Sequence, residues 1–319
     1  MNPETYTILI KNDSETTPNC GCIPEKRSLN EYIKKGIVNI NKPKGPTSHE
    51  VSEYVKLILD AQKAGQSGTL DPGVTGVLPV GIDKATRVLH ELLVCGKEYV
   101  CVMHLHDLYT AEKIREVCAS FVGKIRQFPP LKSAVKRQWR TREIYYLDIL
   151  EIDNQDVLFR VGCEAGTYIR RLVDDIGKKL GRGAHMAQLI RTKVGFFTDE
   201  NMVTLQDLKD AFEEKNEVLL RKFIFPMEKA VSHMKKIWIH DQTIVSVCNG
   251  RSIAIPGIAK LHDCIGIDDA VAIFSQKNEL VGIGRALLDS SLIMQAQKGL
   301  AFSVEKVFME PSIYEKSFN

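Results

Sequence analysis

Residues 65–76 read GQSGTLDPGVTG, a glycine-rich stretch with a single carboxylate, Asp71, near its centre. It lies between the first predicted helix and the apolar run 77–82. Pro72 biases the backbone of Asp71 towards an extended conformation, and the glycines permit tight turns and close approach by another molecule. Such a loop can present Asp71 as a rigid nucleophile or base. The alternative is a plain Asp-Pro-Gly turn, which composition alone favours.

Helical patterns flank this loop. Residues 37–40 read as a strand, and Thr47 with Glu50 has the pattern of a capping box. Apolar residues then recur on one helical face as far as Leu59. The same spacing in residues 85–93 predicts a second helix, and in residues 169–180 a third, with Gly181 placed to end it.

Strand patterns alternate with these helices. Apolar side chains at every second position predict strands at 99–105 and 157–163, and residues 144–152 and 157–164 predict a hairpin. The sheet is therefore mixed and at least partly antiparallel. From about residue 235 to 312, short strands between glycines predict a small, mostly β domain. Residues 6–10 predict one strand, which we expect to pack onto that domain.

The composition is that of a folded protein of about two domains. The chain has 319 residues, 44% of them hydrophobic, and a formal net charge of +3. Its eight cysteines include no C-x-x-C pair, its histidines lack metal-ligand spacing, and it has neither a phosphate-binding nor a dinucleotide-binding glycine motif. No signal peptide and no 18-residue apolar stretch is present. We therefore expect a cytoplasmic protein with no membrane partner and no metal site.

Residues 124–143 hold seven basic side chains against one acid, together with Trp139. Phosphate backbones bind such clusters through charge and counterion release, and an indole can stack on a base. The window therefore predicts an RNA-binding surface. The alternative is a solvated loop without a partner.

The sequence GTYIRR (residues 166–171) opens the third predicted helix. Arginine in the first turn opposes the helix dipole, which favours acidic side chains there. An anionic partner such as Asp71 or an RNA phosphate would compensate. The alternative is local pairing of Arg170 with Asp174 and of Arg171 with Asp175.

Four motifs in this order resemble the TruB family of pseudouridine synthases: NKPKGPTSH (41–49), SGTLDP through TGVLP (67–79), KEY (97–99) and GTYIR (166–170). The chain is most similar to the archaeal dyskerin-type branch, the catalytic subunit of box H/ACA ribonucleoproteins. The resemblance implies an α+β fold, with a mixed, largely antiparallel sheet and flanking helices plus a C-terminal PUA β-pseudobarrel. The expected domains are an arm (1–34), a catalytic domain (35–232), a PUA domain (233–312) and a tail (313–319). No organic cofactor is implied.

The resemblance also implies roles for individual residues. Asp71 is the expected catalytic aspartate, Arg170 its partner, Tyr99 the ring that stacks on the target base and Leu189 an apolar contact near it. Gln66 departs from the family, which usually has histidine there to retain the RNA; glutamine can hydrogen-bond but cannot titrate. The expected RNA-binding residues are Lys42, Lys132, Lys136, Arg137, Arg140, Arg142, Gly250 and Gly257.

The function that follows is isomerisation of uridine to pseudouridine, guide-directed in ribosomal RNA, with transfer RNA as a further candidate substrate. The implied partners are a guide RNA, accessory proteins of the Nop10 and Gar1 type, and a kink-turn-binding ribosomal-like protein. Two alternatives stay open. One is a stand-alone transfer-RNA synthase of the same family, and the other a non-catalytic RNA-binding assembly factor that has lost turnover through Gln66.

Overall fold

The computed structural model describes residues 6–12, 15–129 and 138–315. The strands are β1 (Ile8–Ile10), β2 (Gly36–Lys42), β3 (Ala64–Gln66), β4 (Thr75–Ile82), β5 (Lys97–Leu105), β6 (Gly123–Gln127), β7 (Arg140–Asp153), β8 (Asp156–Cys163), β9 (Ala184–Val194), β10 (Phe197–Thr198), β11 (Ile224–Pro226), β12 (Lys235–Ile239), β13 (Ile253–Ala254), β14 (Ile258–His262), β15 (Ala270–Ser275), β16 (Leu280–Ala286) and β17 (Leu300–Val307). The α-helices are α1 (Leu29–Lys34), α2 (Ser48–Ile58), α3 (Leu89–Leu93), α4 (Ala111–Ala119), α5 (Ile169–Leu180), α6 (Leu205–Glu213), α7 (Glu217–Phe223), α8 (Asp241–Cys248), α9 (Ser290–Gln295) and α10 (Ser312–Glu315). No helix among these residues has the length and apolar character needed to cross a membrane.

The chain divides into two compact units. The Asp71 unit comprises residues 38–81 and 89–223, and the C-terminal unit comprises residues 1–37, 82–88 and 224–319. The domain boundaries drawn from the sequence stay a prediction.

The Asp71 unit is built on a mixed sheet in which the strands follow the order β2-β4-β9-β5-β8-β7-β6. β4 and β9 run parallel, whereas β9, β5, β8, β7 and β6 pair antiparallel in turn. The predicted hairpin is confirmed as β7 and β8. The sheet is therefore mixed and largely antiparallel, as the sequence predicts.

One face of this sheet carries the hydrophobic core of the unit. The inward side chains of β5 and β8, such as Met103 and Phe159, pack against α4 and α5. Helix α5 ends where predicted, because Gly181 adopts the left-handed conformation (φ 115°) that suits a helix C-terminus. Gly177 lets α5 approach β9 closely, since a Cβ there would lie 2.1 Å from the backbone nitrogen of Ala184.

Local signals place α2 correctly, but the helix predicted over residues 85–93 is confirmed only from Leu89 onward. The Thr47 side chain accepts from the Glu50 N–H and the Glu50 carboxylate accepts from the Thr47 N–H, so the capping box forms. Residues 83–87 instead form a 3₁₀ turn, closed by a bond from the Val88 N–H to the Ala85 carbonyl, and α3 begins only at Leu89. The tighter turn divides the apolar stripe into two short segments.

The C-terminal unit contains a sheet in the order β1-β14-β12-β15-β16-β17-β13. Its apolar interior includes Ile237, Ile273 and Phe302. β12 pairs parallel with β15, and the β1–β14, β12–β14, β15–β16, β16–β17 and β13–β17 pairs are antiparallel. β1 aligns Ile8 with His262 and Ile10 with Lys260, which confirms that the N-terminal strand extends this domain.

Candidate active site

The loop that presents Asp71 connects β3 to β4, and buried side chains hold its backbone. The hydroxyl of Ser48, in the first turn of α2, donates to the Leu70 carbonyl (3.1 Å) and accepts from the Leu70 N–H (2.8 Å). On the other side of the carboxylate, the Val74 N–H donates to the Asp71 carbonyl and the Gly45 N–H to the Pro72 carbonyl, both at 2.9 Å. The backbone on each side of Asp71 is therefore fixed.

Lys42, at the end of β2, anchors the same loop from within. Its side chain is fully buried, and Nζ donates to the carbonyls of Pro43 (2.9 Å), Pro72 (3.3 Å) and Val74 (3.0 Å). Burial lowers the pKa of Lys42, and the negative charge of Asp71 opposes this effect. The prediction that Lys42 binds RNA is therefore wrong, because its ammonium lies inside the protein and its donors are engaged.

Arg191, on β9, is the main residue that sequence reasoning missed. Arg191 is only 1% exposed. Its guanidinium donates from Nε to the Val77 carbonyl (2.7 Å) and from one Nη to the Gly68 carbonyl (3.1 Å). It also stands opposite Tyr99 of β5, and its positive charge acts on that ring. The available signal is its place two residues after Leu189, which puts both on one face of a strand.

Asp71 and Arg170 form an ion pair, with 2.6 Å between an Arg170 Nη and an Asp71 Oδ. This confirms the pairing predicted for the misplaced arginine of α5. Arg171, not Arg170, makes the local pairs, to Asp174 at 3.0 Å and Asp175 at 3.1 Å. The side chains of Asp71 and Arg170 are 58% and 63% exposed. An exposed pair contributes about 1 kcal/mol or less to stability, so folding alone gives little reason for it.

Tyr99 and Leu189 lie on one face of the sheet. β5 pairs with β9 so that Tyr99 stands opposite Arg191 and Cys101 opposite Leu189, and cross-strand partners project to the same side. Burial raises the pKa of Tyr99, while the positive charge of Arg191 opposes the shift. Arg191 therefore stands opposite Tyr99 in the sheet and also bonds Gly68 of the Asp71 loop.

Gln66 directs its side chain into its own loop. Its Oε1 accepts from the Gly68 N–H and its Nε2 donates to the Thr69 hydroxyl at 3.2 Å. The amide therefore shapes the backbone before Asp71. Its effect on RNA retention stays a prediction.

The basic window lies in part outside the described residues, which applies to Lys132, Lys136 and Arg137. Arg140 begins β7 opposite Gln127. Arg142 donates to the Thr141 carbonyl (2.9 Å) and pairs with Glu164 at 3.4 Å. The guanidinium of Arg126 lies 5.3 Å from the ring centroid of the exposed Trp139. RNA binding by Arg140 and Arg142 stays a prediction.

The two glycines predicted to contact RNA lie in the C-terminal unit. Gly250 follows α8 with φ 77°, a conformation that favours glycine. A Cβ on Gly257 would lie 2.7 Å from the Thr243 hydroxyl. Gly250 is therefore favoured by its backbone conformation and Gly257 by the close Thr243 side chain, and their contact with RNA stays a prediction. Within residues 6–12, 15–129 and 138–315, no group of three or more His, Cys, Asp or Glu could hold a metal.

Comparison with known sequences assigns the class. The pattern described as "TruB family pseudouridylate synthase (N terminal domain)" matches residues 56–169, and "tRNA pseudouridylate synthase B C-terminal domain" matches 170–232. A DKCLD (NUC011) domain matches 3–52 and a PUA domain matches 235–308. The matched regions, a TruB-type synthase domain followed along the chain by a PUA domain, define an RNA-modifying enzyme.

Full-length relatives make the assignment specific. The chain is 52% identical to the "Probable tRNA pseudouridine synthase B" of Methanothermobacter thermautotrophicus over 95% of each chain, and 52% identical to that of Pyrococcus furiosus over 97% and 93%. The chain belongs to the TruB family of pseudouridine synthases, and the predicted fold class is confirmed.

Two solved structures are similar over nearly the whole chain. "Crystal Structure of a Cbf5-Nop10-Gar1 Complex" gives a TM-score of 0.90 at 51% identity, covering 97% of this chain and 96% of the other. "Structure of H/ACA RNP bound to a substrate RNA containing 2'-deoxyuridine" gives 0.91 at 49% identity, covering 98% and 97%. The resemblance to the archaeal dyskerin-type branch is confirmed.

Proposed function

We propose that Asp71 is the catalytic residue of this pseudouridine synthase. The observation that carries the proposal is the ion pair of Asp71 with Arg170 on a backbone fixed by Ser48 and Lys42. The ion pair with Arg170 orients the Asp71 carboxylate. Asp71 promotes cleavage of the bond between N1 and C1′ of uridine. The uracil then rotates and C5 bonds to C1′, and the C5 proton is lost while N1 gains one, so atoms and charge balance.

Tyr99 and Leu189 support the base while it is detached. The Tyr99 ring offers a stacking surface, and Leu189 supplies an apolar contact on the same sheet face. A uridine must leave its stack before Asp71 can reach its glycosidic bond, and stacking on an aromatic ring offsets part of that cost. Tyr99 also takes part in removing the C5 proton, as a relay that passes its own proton on, because burial keeps its hydroxyl protonated.

The assembly proposed for this chain is an H/ACA ribonucleoprotein. Similarity to the Cbf5 complexes above, each over more than nine-tenths of both chains, supports partners of the Nop10 and Gar1 type and a substrate RNA. We propose in addition a guide RNA, a kink-turn-binding ribosomal-like protein, ribosomal RNA as substrate and a cytoplasmic location. The naming of the curated relatives supports transfer RNA as a second substrate.

The test is tritium release from RNA labelled at C5 of uridine, by the guide-assembled complex and by the protein alone on transfer RNA. Wild type is compared with Asp71→Asn at equal RNA occupancy. Asp153→Asn is the matched control, because Asp153 is an exposed aspartate at the β7–β8 turn.

Release by wild type and Asp153→Asn but not by Asp71→Asn supports the proposal. Equal release by Asp71→Asn refutes the role of Asp71. Absence of release from all variants, with RNA bound, favours the non-catalytic assembly factor. Release only from transfer RNA without guide favours the stand-alone synthase.

A further inference from the structure

A buried glutamine holds the start of the helix that carries Arg170. Gln127 is the last residue of β6 and is 2% exposed. Its Oε1 accepts from the Tyr168 N–H at 3.0 Å, and its Nε2 donates to the Tyr168 carbonyl at 3.1 Å. One amide side chain therefore satisfies both polar groups of one backbone residue.

Tyr168 is the N-cap residue of α5, a position whose own side chain normally accepts a hydrogen bond from the first helical turn. Tyr168 has no side-chain capping bond, and its carbonyl also accepts from the N–H groups of Arg171 and Leu172. A serine or aspartate cap would fix the helix start only relative to its own first turn. Gln127 instead fixes the helix start relative to the sheet.

We propose that Gln127 is a positioning residue, which sets Arg170 against Asp71 by holding the Tyr168 backbone two residues before the arginine. The proposal deepens the proposed function and rests on it. Both side chains of the ion pair are more than half exposed, so their attraction in water cannot determine their geometry. The backbones must do so. Ser48 and Lys42 fix that of Asp71, and Gln127 fixes that of Arg170.

The chemistry of the amide supplies the test. In Gln127→Glu, a carboxylate can accept from the Tyr168 N–H but has no proton to donate to the Tyr168 carbonyl. A protonated carboxyl has one acceptor and one O–H donor and restores both bonds. Gln127→Leu can form neither bond at any pH.

The measurement is single-turnover tritium release by the guide-assembled complex at saturating RNA, from pH 8 to about pH 5. We expect Gln127→Leu to be slower than wild type by about tenfold or more, with an unchanged Kd for RNA, because misplacing a reacting group costs rate more than binding. Gln127→Glu should be slow at pH 8 and approach the wild-type rate as the pH falls. Gln188→Leu, which alters an exposed glutamine on β9, should retain the wild-type rate at every pH.

A double-mutant cycle with Arg170→Lys tests whether Gln127 acts through the arginine. If it does, Gln127→Leu costs much less in the Arg170→Lys background than in wild type. Fully multiplicative losses, a wild-type rate in Gln127→Leu, or a Gln127→Glu variant that stays slow at low pH would overturn the proposal.

Amide exchange keeps the inference separate from the proposed activity. Mass spectrometry of exchange in residues 168–172 should show faster exchange in Gln127→Leu than in wild type, whether or not the complex isomerises RNA. Unchanged exchange would show that the two Gln127 bonds do not hold the Tyr168 backbone, and would overturn the proposal. Faster exchange with no release from wild type would refute the proposed function. It would also refute a catalytic effect of Gln127, although its two bonds to Tyr168 would stand.

Discussion

Replacing Arg191 with methionine should weaken both the fold and the reaction. The guanidinium is nearly inaccessible to solvent and donates to the Val77 and Gly68 carbonyls. Each buried group left without a partner costs about 1–3 kcal/mol. Burial of the Arg191 cation carries a desolvation cost, which also lowers its pKa. Methionine removes this cost and so offsets part of the loss. A net loss of about 3 kcal/mol in the free energy of unfolding follows.

Two measurements check this expectation. Urea unfolding of Arg191→Met should show the loss of stability, and single-turnover tritium release at equal RNA occupancy should fall about a hundredfold, as for a displacement of about 1 Å in a reacting group. Arg160→Met is the matched control, because Arg160 is an exposed arginine on β8 of the same sheet. A stability within about 0.5 kcal/mol of wild type, with unchanged release, would refute the reasoning, since surface substitutions have effects of that size.

Three further outcomes are expected. Gln66→His should bind RNA about fivefold more tightly in a filter-binding assay, because a stacking ring contributes about 1 kcal/mol or more; equal or weaker binding would contradict this. Gly177→Ala should lower the free energy of unfolding by about 2 kcal/mol in urea through collision with the Ala184 backbone, whereas Gly73→Ala, which meets nothing within 4 Å, should not. Burial lowers the pKa of Lys97 to about 8, so the folded state loses this proton before the unfolded state does. The stability of wild type relative to Lys97→Met should therefore rise between pH 8 and about 10.5, and a constant difference in urea unfolding would exclude the shift.

Local chemistry explains what the sequence could predict. The Thr47 and Glu50 capping box requires residues three positions apart, and the end of α5 requires only Gly181, so both follow from short windows. The Asp71–Arg170 pair joins positions 99 residues apart, yet it was predictable because an arginine in the first turn of a helix needs an anion to compensate the dipole.

The buried cations Lys42 and Arg191, and the buried Gln127, could not be predicted in this way. From its neighbours in the sequence, Lys42 is expected on the surface of a basic, proline-rich loop. Its burial is explained only by the Pro72 and Val74 carbonyls, which lie 30 residues or more further along the chain and accept from its Nζ. Arg191 depends on the register of β9 against β5 and β4, which a single sequence does not determine. Gln127 depends on the position of α5 relative to the end of β6. All three side chains bond backbone groups. Every residue has such groups, so the sequence does not indicate which ones will be the partners.

The backbone carbonyls that Lys42 and Arg191 bond leave the positive charge of both side chains in place. Lys42 donates to the Val74 carbonyl and Arg191 to the Gly68 carbonyl, and a neutral carbonyl does not cancel the charge of its donor. Arg170 pairs with the Asp71 carboxylate directly, so three cationic side chains bond either this loop or its carboxylate. The chain as a whole carries only +3, yet these cations make the site locally positive, which favours an approaching RNA backbone. The cations that hold the loop rigid also supply the field in which its carboxylate would act.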